Sequence, residues 1–343
     1  MRHLLNTFFV TSDDLYLSLE NENVVVWRER QQIQRIPLLN LENIIYFGYQ
    51  GASPALLGAC AEKGIGFCFL NQQGKFLARV LGSSRGNVLL RKKQYRVSDD
   101  PEASLKIARN MIVGKISNAR TTLMRGLRDH PMSVDKDKFT LSAKELLSAA
   151  REAGRASDLE ILRGIEGTAA RYYFDCLDDL ILQDKNSFSF QGRKRRPPAD
   201  PVNALLSFTY TLLAHDCAAA LEAVGLDAYV GFLHRDRPGR ESLALDMMEE
   251  FRSVYADKFV LKLINMRIIG KADFEKKENG SVLLKKDSRR QLLSKWQERK
   301  KAEIKHPFLG EKVVWGLLPY VQALLLSRYL RGDLDGYPPF LVK

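Results

Sequence analysis

With 343 residues, 45% of them hydrophobic and 27% charged, the chain is too long for one small core and has the composition of a folded two-domain protein. Its formal net charge of +12 is uneven: residues 1–90 carry eight Lys/Arg against seven Asp/Glu, so a polyanion-binding surface is expected mainly on the later part. Cys60, Cys68, Cys176 and Cys217 form no CxxC pair, which excludes a zinc finger or disulfide scaffold and implies reduced thiols in the cytoplasm.

The opening MRHLLNTFFV lacks the longer apolar core of a signal peptide. Residues 1–90 then read as β-rich. Apolar runs at 7–11, 16–19, 24–27, 33–37, 40–47, 66–70 and 76–81 are separated by polar turn residues. PALLGACAEKG, closed by glycine, predicts one helix over 53–63. A small sandwich with one helix, serving dimerisation or docking, is the expected packing. Residues 91–101, RKKQYR followed by VSDDP, are expected to connect the domains.

From Pro101 the periodicity is helical, first over 103–127 and again over 142–153. Ser157 and Glu160 predict a capping box, followed by a stripe through Leu162, Ile165, Ala169, Tyr173, Leu177 and Leu180. Glu166 falls inside that stripe. A carboxylate there needs a buried arginine, or a role as metal ligand or general base. The basic run Arg193, Lys194, Arg195, Arg196, stiffened by Pro197 and Pro198, has the character of a phosphate clamp. Asp200 and Pro201 should start a helix over 202–224, apolar nearly all round and stopped by Gly225.

Next comes GFLHRDRPGRESLALDMMEEFR, residues 231–252. It places His234 in a loop broken by glycine and proline, ahead of a helix whose buried stripe runs through Ala244, Met247, Met248, Phe251, Val254 and Tyr255. Asp246 and Glu249, three apart, are neighbours on the other face. One imidazole and two carboxylates could hold a hard divalent cation, or form an ordinary acidic surface beside a histidine. A helix over 258–269 and a hairpin turning at Asn279-Gly280 follow. Residues 285–305 hold nine Lys/Arg around Trp296, including Lys285, Lys286, Arg289 and Arg290, and fit a nucleic-acid track or a charged surface helix. A last helix over 313–330 packs the domain. Its apolar run, broken by Gly316, Pro319 and Gln322, is unsuited to a bilayer.

The segments LRGIEGTAARYYF, FQGRKRRPPADPVNALLSFTYTLL and GFLHRDRPGRESLALDMMEEFR, with HPFLGEKV and YPPF near the end, resemble the CRISPR-associated spacer-acquisition integrase family. This is the catalytic subunit of the CRISPR adaptation complex. The resemblance implies an α+β multidomain protein: a small β-rich N-terminal dimerisation domain (1–90), a linker (91–101) and an α-helical catalytic domain (102–343). It implies a Mg²⁺ or Mn²⁺ site held by Glu166, His234 and Glu249. Asp246 joins them as a further catalytic position, and Glu250 faces solvent. Arg193, Lys194, Arg195, Arg196, Arg240, Lys285, Lys286, Arg289 and Arg290 would contact DNA.

The implied activity is metal-dependent joining of 3′-hydroxyl ends of captured foreign DNA into the repeat of a CRISPR array. The implied partners are double-stranded and branched DNA, a second copy forming a homodimer, and a small non-catalytic adaptation subunit bridging two dimers. Two alternatives remain open on the sequence. One is a structure-specific metal-dependent nuclease acting on branched DNA; the other is a non-catalytic DNA-binding scaffold with Glu166 paired to arginine.

Overall fold

Short strands between residues 7 and 80, several of them buried over consecutive apolar residues, fold into two sheets. The computed structural model describes residues 7–71, 76–80, 82, 88–193 and 197–342. Its first strands are β1 (Thr7–Val10), β2 (Leu15–Glu20), β3 (Asn23–Arg28), β4 (Gln31–Pro37) and β5 (Asn43–Tyr46). Helix α1 (Pro54–Lys63) is capped by Ser53 and closed by Gly64 at φ 67, and β6 (Gly66–Leu70) and β7 (Phe76–Val80) follow. β2, β3 and β4 form an antiparallel sheet; the other is ordered β1-β5-β6-β7, with β1, β5 and β6 parallel. Parallel pairing needs a crossover, and α1 is the one between β5 and β6. Leu17, Val24, Val26, Ile44, Leu56 and Phe67 build the core between these elements.

The remainder is mostly helical: α2 (Val88–Asp99), α3 (Pro101–Asp129), α4 (Lys136–Ala153), α5 (Leu159–Asp175), α6 (Pro201–Ala223), α7 (Ser242–Met248), a π-helical turn (Arg252–Asp257) and α8 (Lys258–Asn265). The hairpin β8 (Phe274–Lys276) and β9 (Val282–Leu284), helix α9 (Lys286–Lys301), the hairpin β10 (Glu303–Lys305) and β11 (Lys312–Val314), and α10 (Leu318–Arg331) complete it. The architecture is α+β, with a β-rich N-terminal region and a helical remainder. Helix α6 is long and apolar enough to cross a membrane by composition, but 72% of its apolar window is buried inside the fold, as suits a core helix.

The chain divides into two units, each with its own core: Met1–Gly86 with Leu284–Ala302 and Trp315–Leu317, and Asn87–Leu283 with Glu303–Val314 and Leu318–Lys343. This differs from the contiguous division the sequence suggested. Helix α9 belongs to the first unit, where Leu292, Leu293 and Trp296 are buried. The expected linker at 91–101 is largely helix α2, and Asp100 caps α3 by accepting from the Glu102 and Ala103 N–H groups. Asp158, rather than Ser157, caps α5, because its carboxylate reaches the Glu160 and Ile161 N–H groups at 2.9 and 2.8 Å. The expected helix over 313–330 starts at Leu318, after β11 has paired with β10.

Candidate active site

Three elements of the second unit hold the loop that carries His234. On α2, the buried Gln94 side chain donates to the Asp227 and Val230 carbonyls at 2.8 and 2.9 Å and accepts from the Asp227 N–H. Ser98 donates to the Gly231 carbonyl, and Arg163 on α5 donates to that of Leu233. Asp246 on α7 does the rest. Wholly buried, it accepts from the backbone N–H groups of Phe232 (2.7 Å), Leu233 (2.9 Å) and His234 (3.0 Å), and its Oδ1 lies 2.5 Å from His234 Nδ1. A carboxylate accepting from the ring fixes the proton on Nδ1 and leaves the Nε2 lone pair for another partner. Gly231 is required by the close approach: a Cβ there would lie 2.8 Å from Asp246 Oδ2 and 2.9 Å from Ser242 Cβ.

Glu166 on α5 and Glu249, just past α7, meet on one cation. Lys115 Nζ, from the middle of α3, bonds Glu166 Oε1 and lies 2.7 Å from Glu249 Oε2. Glu249 also receives Arg252 NH1 at 2.9 Å on both oxygens. Burial by itself would raise the Glu249 carboxyl; the charges of Arg252 and Lys115 outweigh it and hold the group well below the usual carboxylate range. His234 bears on the same carboxylate. Arg252 is packed over the Tyr210 ring at 4.3 Å, and the hydroxyls of Tyr210 and Tyr173 both donate to buried Asp257. The π-helical turn carries both Arg252 and Asp257 on one widened stretch of backbone. A small recess opens beside Lys115, Glu166 and Arg252.

Among the described residues, no three His, Cys, Asp or Glu side chains stand together as a ready cation cage. The donor chemistry still suits a hard divalent ion: two carboxylates already sharing one positive charge, and an imidazole with Nε2 available.

Glu166 is half-buried, its side chain 28% exposed, and its partner is a lysine rather than an arginine. The acidic face expected on the 242–255 helix is not a surface. Glu249 and Glu250 are both buried, and Glu250, expected in solvent, accepts from Tyr337 Oη, the Phe340 N–H and Gln322 Nε2. Burial outweighs these donors and pushes its carboxyl up to about 8. Arg193 turns inward, to Asn203 Oδ1 at 2.7 Å, Ser207 Oγ at 3.1 Å and the Tyr210 ring. Lys194, Arg195 and Arg196 lie outside the described residues. Arg240 is half-buried in the turn before α7, where its carbonyl accepts from the Ser242 N–H. In the first unit, Lys286 pairs with Asp13 and Arg290 donates to Thr11 and Ser12, so both cement α9 to the β-rich core; Lys285 is exposed, and Arg289 is half-buried on α9. Sequence reasoning missed Lys115, although Met111, Ile112, Ile116 and Ala119 around it form a buried stripe like that of Glu166. It also missed Arg252, three residues after Glu249.

The family model described as "CRISPR associated protein Cas1" matches residues 8–298. The chain is 50% identical over 341 residues to the "CRISPR-associated endonuclease Cas1 1" of Chlorobaculum tepidum, covering 99% of each chain. It is 49% identical over 348 residues to the "CRISPR-associated endonuclease Cas1 2" of Rhodospirillum rubrum, covering 100% of both. Its fold is similar to that of a casposase solved bound to an integration product, with a TM-score of 0.84 at 22% identity over 98% of this chain and 94% of that one. With the family model matching most of its length, the chain belongs to the Cas1 family of CRISPR-associated proteins.

Proposed function

We propose that this protein is a metal-dependent DNA endonuclease and integrase of CRISPR adaptation, joining 3′-hydroxyl ends of captured DNA into a CRISPR repeat by direct transesterification. The observation that carries the reading is the meeting of Glu166 and Glu249, from separate helices, on one cation beside a histidine oriented by Asp246. Relatives named as CRISPR-associated endonucleases, and a fold shared with an integration-product complex, support it.

Glu166, Glu249 and His234 Nε2 are the donors that would hold Mg²⁺ or Mn²⁺, which when bound would polarise the scissile phosphate and acidify the attacking hydroxyl. Asp246 holds the imidazole by its Nδ1 side, which leaves the Nε2 lone pair for a partner. Arg252 keeps Glu249 ionised and so fit to bind a cation. No covalent enzyme–DNA link is needed. The nearby hydroxyls fit that: Tyr173 donates to buried Asp257, and Ser242 is wholly buried. DNA in duplex and branched form, a second copy of this chain and a small non-catalytic adaptation subunit are the proposed partners.

Glu166→Ala, His234→Ala and Glu249→Gln should each lower Mn²⁺-dependent strand joining by about 100-fold or more, the size expected for a lost metal-site group, with DNA binding unchanged in a gel-shift assay. A donor strand lacking its 3′ hydroxyl should not be joined. Intact joining in the three variants would remove the ligand assignment. The relatives' endonuclease names speak equally for hydrolysis of branched DNA, and sequencing gels that separate joined from cut strands distinguish the two.

A further inference from the structure

Lys115 sits at the meeting point of the two carboxylates, and the ligand set proposed above does not use it. It lies in the interior of α3, between buried Met111, Ile112, Ile116 and Ala119, and its side chain is 15% exposed. Its ammonium bonds one oxygen of Glu166 and lies 2.7 Å from one of Glu249. Those two carboxylates are the oxygen donors assigned above to a divalent ion. An ammonium and a divalent ion cannot share the same pair of oxygens at bonding distance, because the two positive charges would be near contact in a partly desolvated place.

Charge counting points the same way. Glu166 and Glu249 carry two negative charges, and Lys115 and Arg252 supply two positive ones, so these four groups balance one another. A divalent ion added without a departure leaves an excess of two charges among groups that are mostly buried. Of the two resident cations, Arg252 is fixed: it grips both oxygens of Glu249 and is packed over Tyr210. Lys115 has a four-carbon flexible stem, is partly exposed and borders the recess beside the cluster.

We propose that Lys115 is a resident counter-cation that occupies the metal position between Glu166 and Glu249 and must be displaced when a divalent ion enters. Lys115 thereby sets the concentration of metal at which the site loads. It also keeps the two carboxylates together in protein that holds no ion. The proposal rests on Glu166 and Glu249 being ligands.

A cation beside a carboxylate weakens its hold on a proton by about ten- to a thousand-fold, and the same electrostatics acts on a metal ion. The test is Mn²⁺ binding to the full-length protein without DNA, followed by calorimetry and by the loss of the free-ion electron paramagnetic resonance signal. Lys115→Met should bind Mn²⁺ at least about tenfold more tightly than the parent. Lys115→Arg, which keeps the charge and adds a second donor, should bind it no more tightly than the parent. The melting temperature supplies a second readout: Lys115→Met should be less stable than the parent without metal and gain more from saturating Mn²⁺. Equal or weaker Mn²⁺ affinity in folded Lys115→Met overturns the proposal. Glu249→Gln separates the two levels of inference. If it leaves Mn²⁺ binding of the parent unchanged, the ligand reading itself has failed; if it weakens binding while Lys115→Met has no effect, the counter-cation alone has failed.

Discussion

Asp246 accepts four donors with two oxygens, three from the backbone and one from the His234 ring. Spacing alone made it a companion of Glu249 near a metal. Full burial makes it a positioning residue that holds the histidine loop and sets the ring tautomer. Asp246→Asn would turn an NH₂ group toward backbone N–H donors, leaving buried groups unpaired. A stability loss of about 3 kcal/mol is expected, with strand joining reduced in the folded fraction. Urea denaturation measures the first and joining per folded molecule the second; a fully active, equally stable variant would show that the carboxylate is dispensable. Glu166 was legible because a carboxylate inside an apolar stripe demands a partner. Lys115 obeys the same rule but escaped notice, because a lysine within a stripe ordinarily extends its ammonium to water.

At the level of elements, the C-terminal segment and the β10–β11 hairpin are tied by one polar network to Glu250, just past α7. Glu250 holds Tyr337 and Phe340, Gln322 on α10 joins Glu250 to His306, and Asn118 on α3 donates to the Glu250 and Phe340 carbonyls. The Leu309 N–H donates to His306 Nδ1, so the proton sits on Nε2 and is donated to Gln322. Burial pushes His306 below its ordinary 6.5. A depressed histidine contributes stability that is fully present above 6.5 and is lost as pH falls through the folded value, because the unfolded chain takes up the proton first. Glu250, raised to about 8, acts in the opposite direction over this range, so the histidine's contribution is read by difference: from about pH 7 to pH 5 the parent's denaturation midpoint should fall relative to that of His306→Gln, which is less stable at neutral pH. Parallel profiles would assign the acid loss to other groups. HPFLGEKV and YPPF were legible as family segments, but the meeting of His306, Tyr337 and Phe340 with Glu250 and Gln322 was not, since these residues lie far apart along the chain.

For the molecule as a whole, the excess of twelve positive charges overstates the cations free to meet phosphates. Arg193, Lys286 and Arg290 are engaged inside their own units. If exposed Lys285 meets a DNA phosphate, as the family resemblance implies, Lys285→Ala should reduce the log–log salt slope of DNA binding by about one. Arg290→Ala should leave that slope unchanged and lower the melting temperature instead. Fluorescence anisotropy across a potassium chloride series checks both, and a slope change in the arginine variant would return it to the DNA surface.

Local rules recorded in the chain were enough to locate the strands at 7–37, the α1 crossover, the Asp200–Pro201 helix start and the buried stripe of 242–255, because periodicity, capping and turn residues act between near neighbours. The motifs around Glu166, His234 and Glu249 were likewise readable, through their likeness to a family. Other features were decided by tertiary structure. Helix α9 joined the first unit, Glu250 went inside, Asp246 became the histidine's anchor, and Lys115 came to lie between two carboxylates. Each of these depends on which surfaces come together across long stretches of chain, where desolvation and charge pairing, rather than local spacing, set the energy.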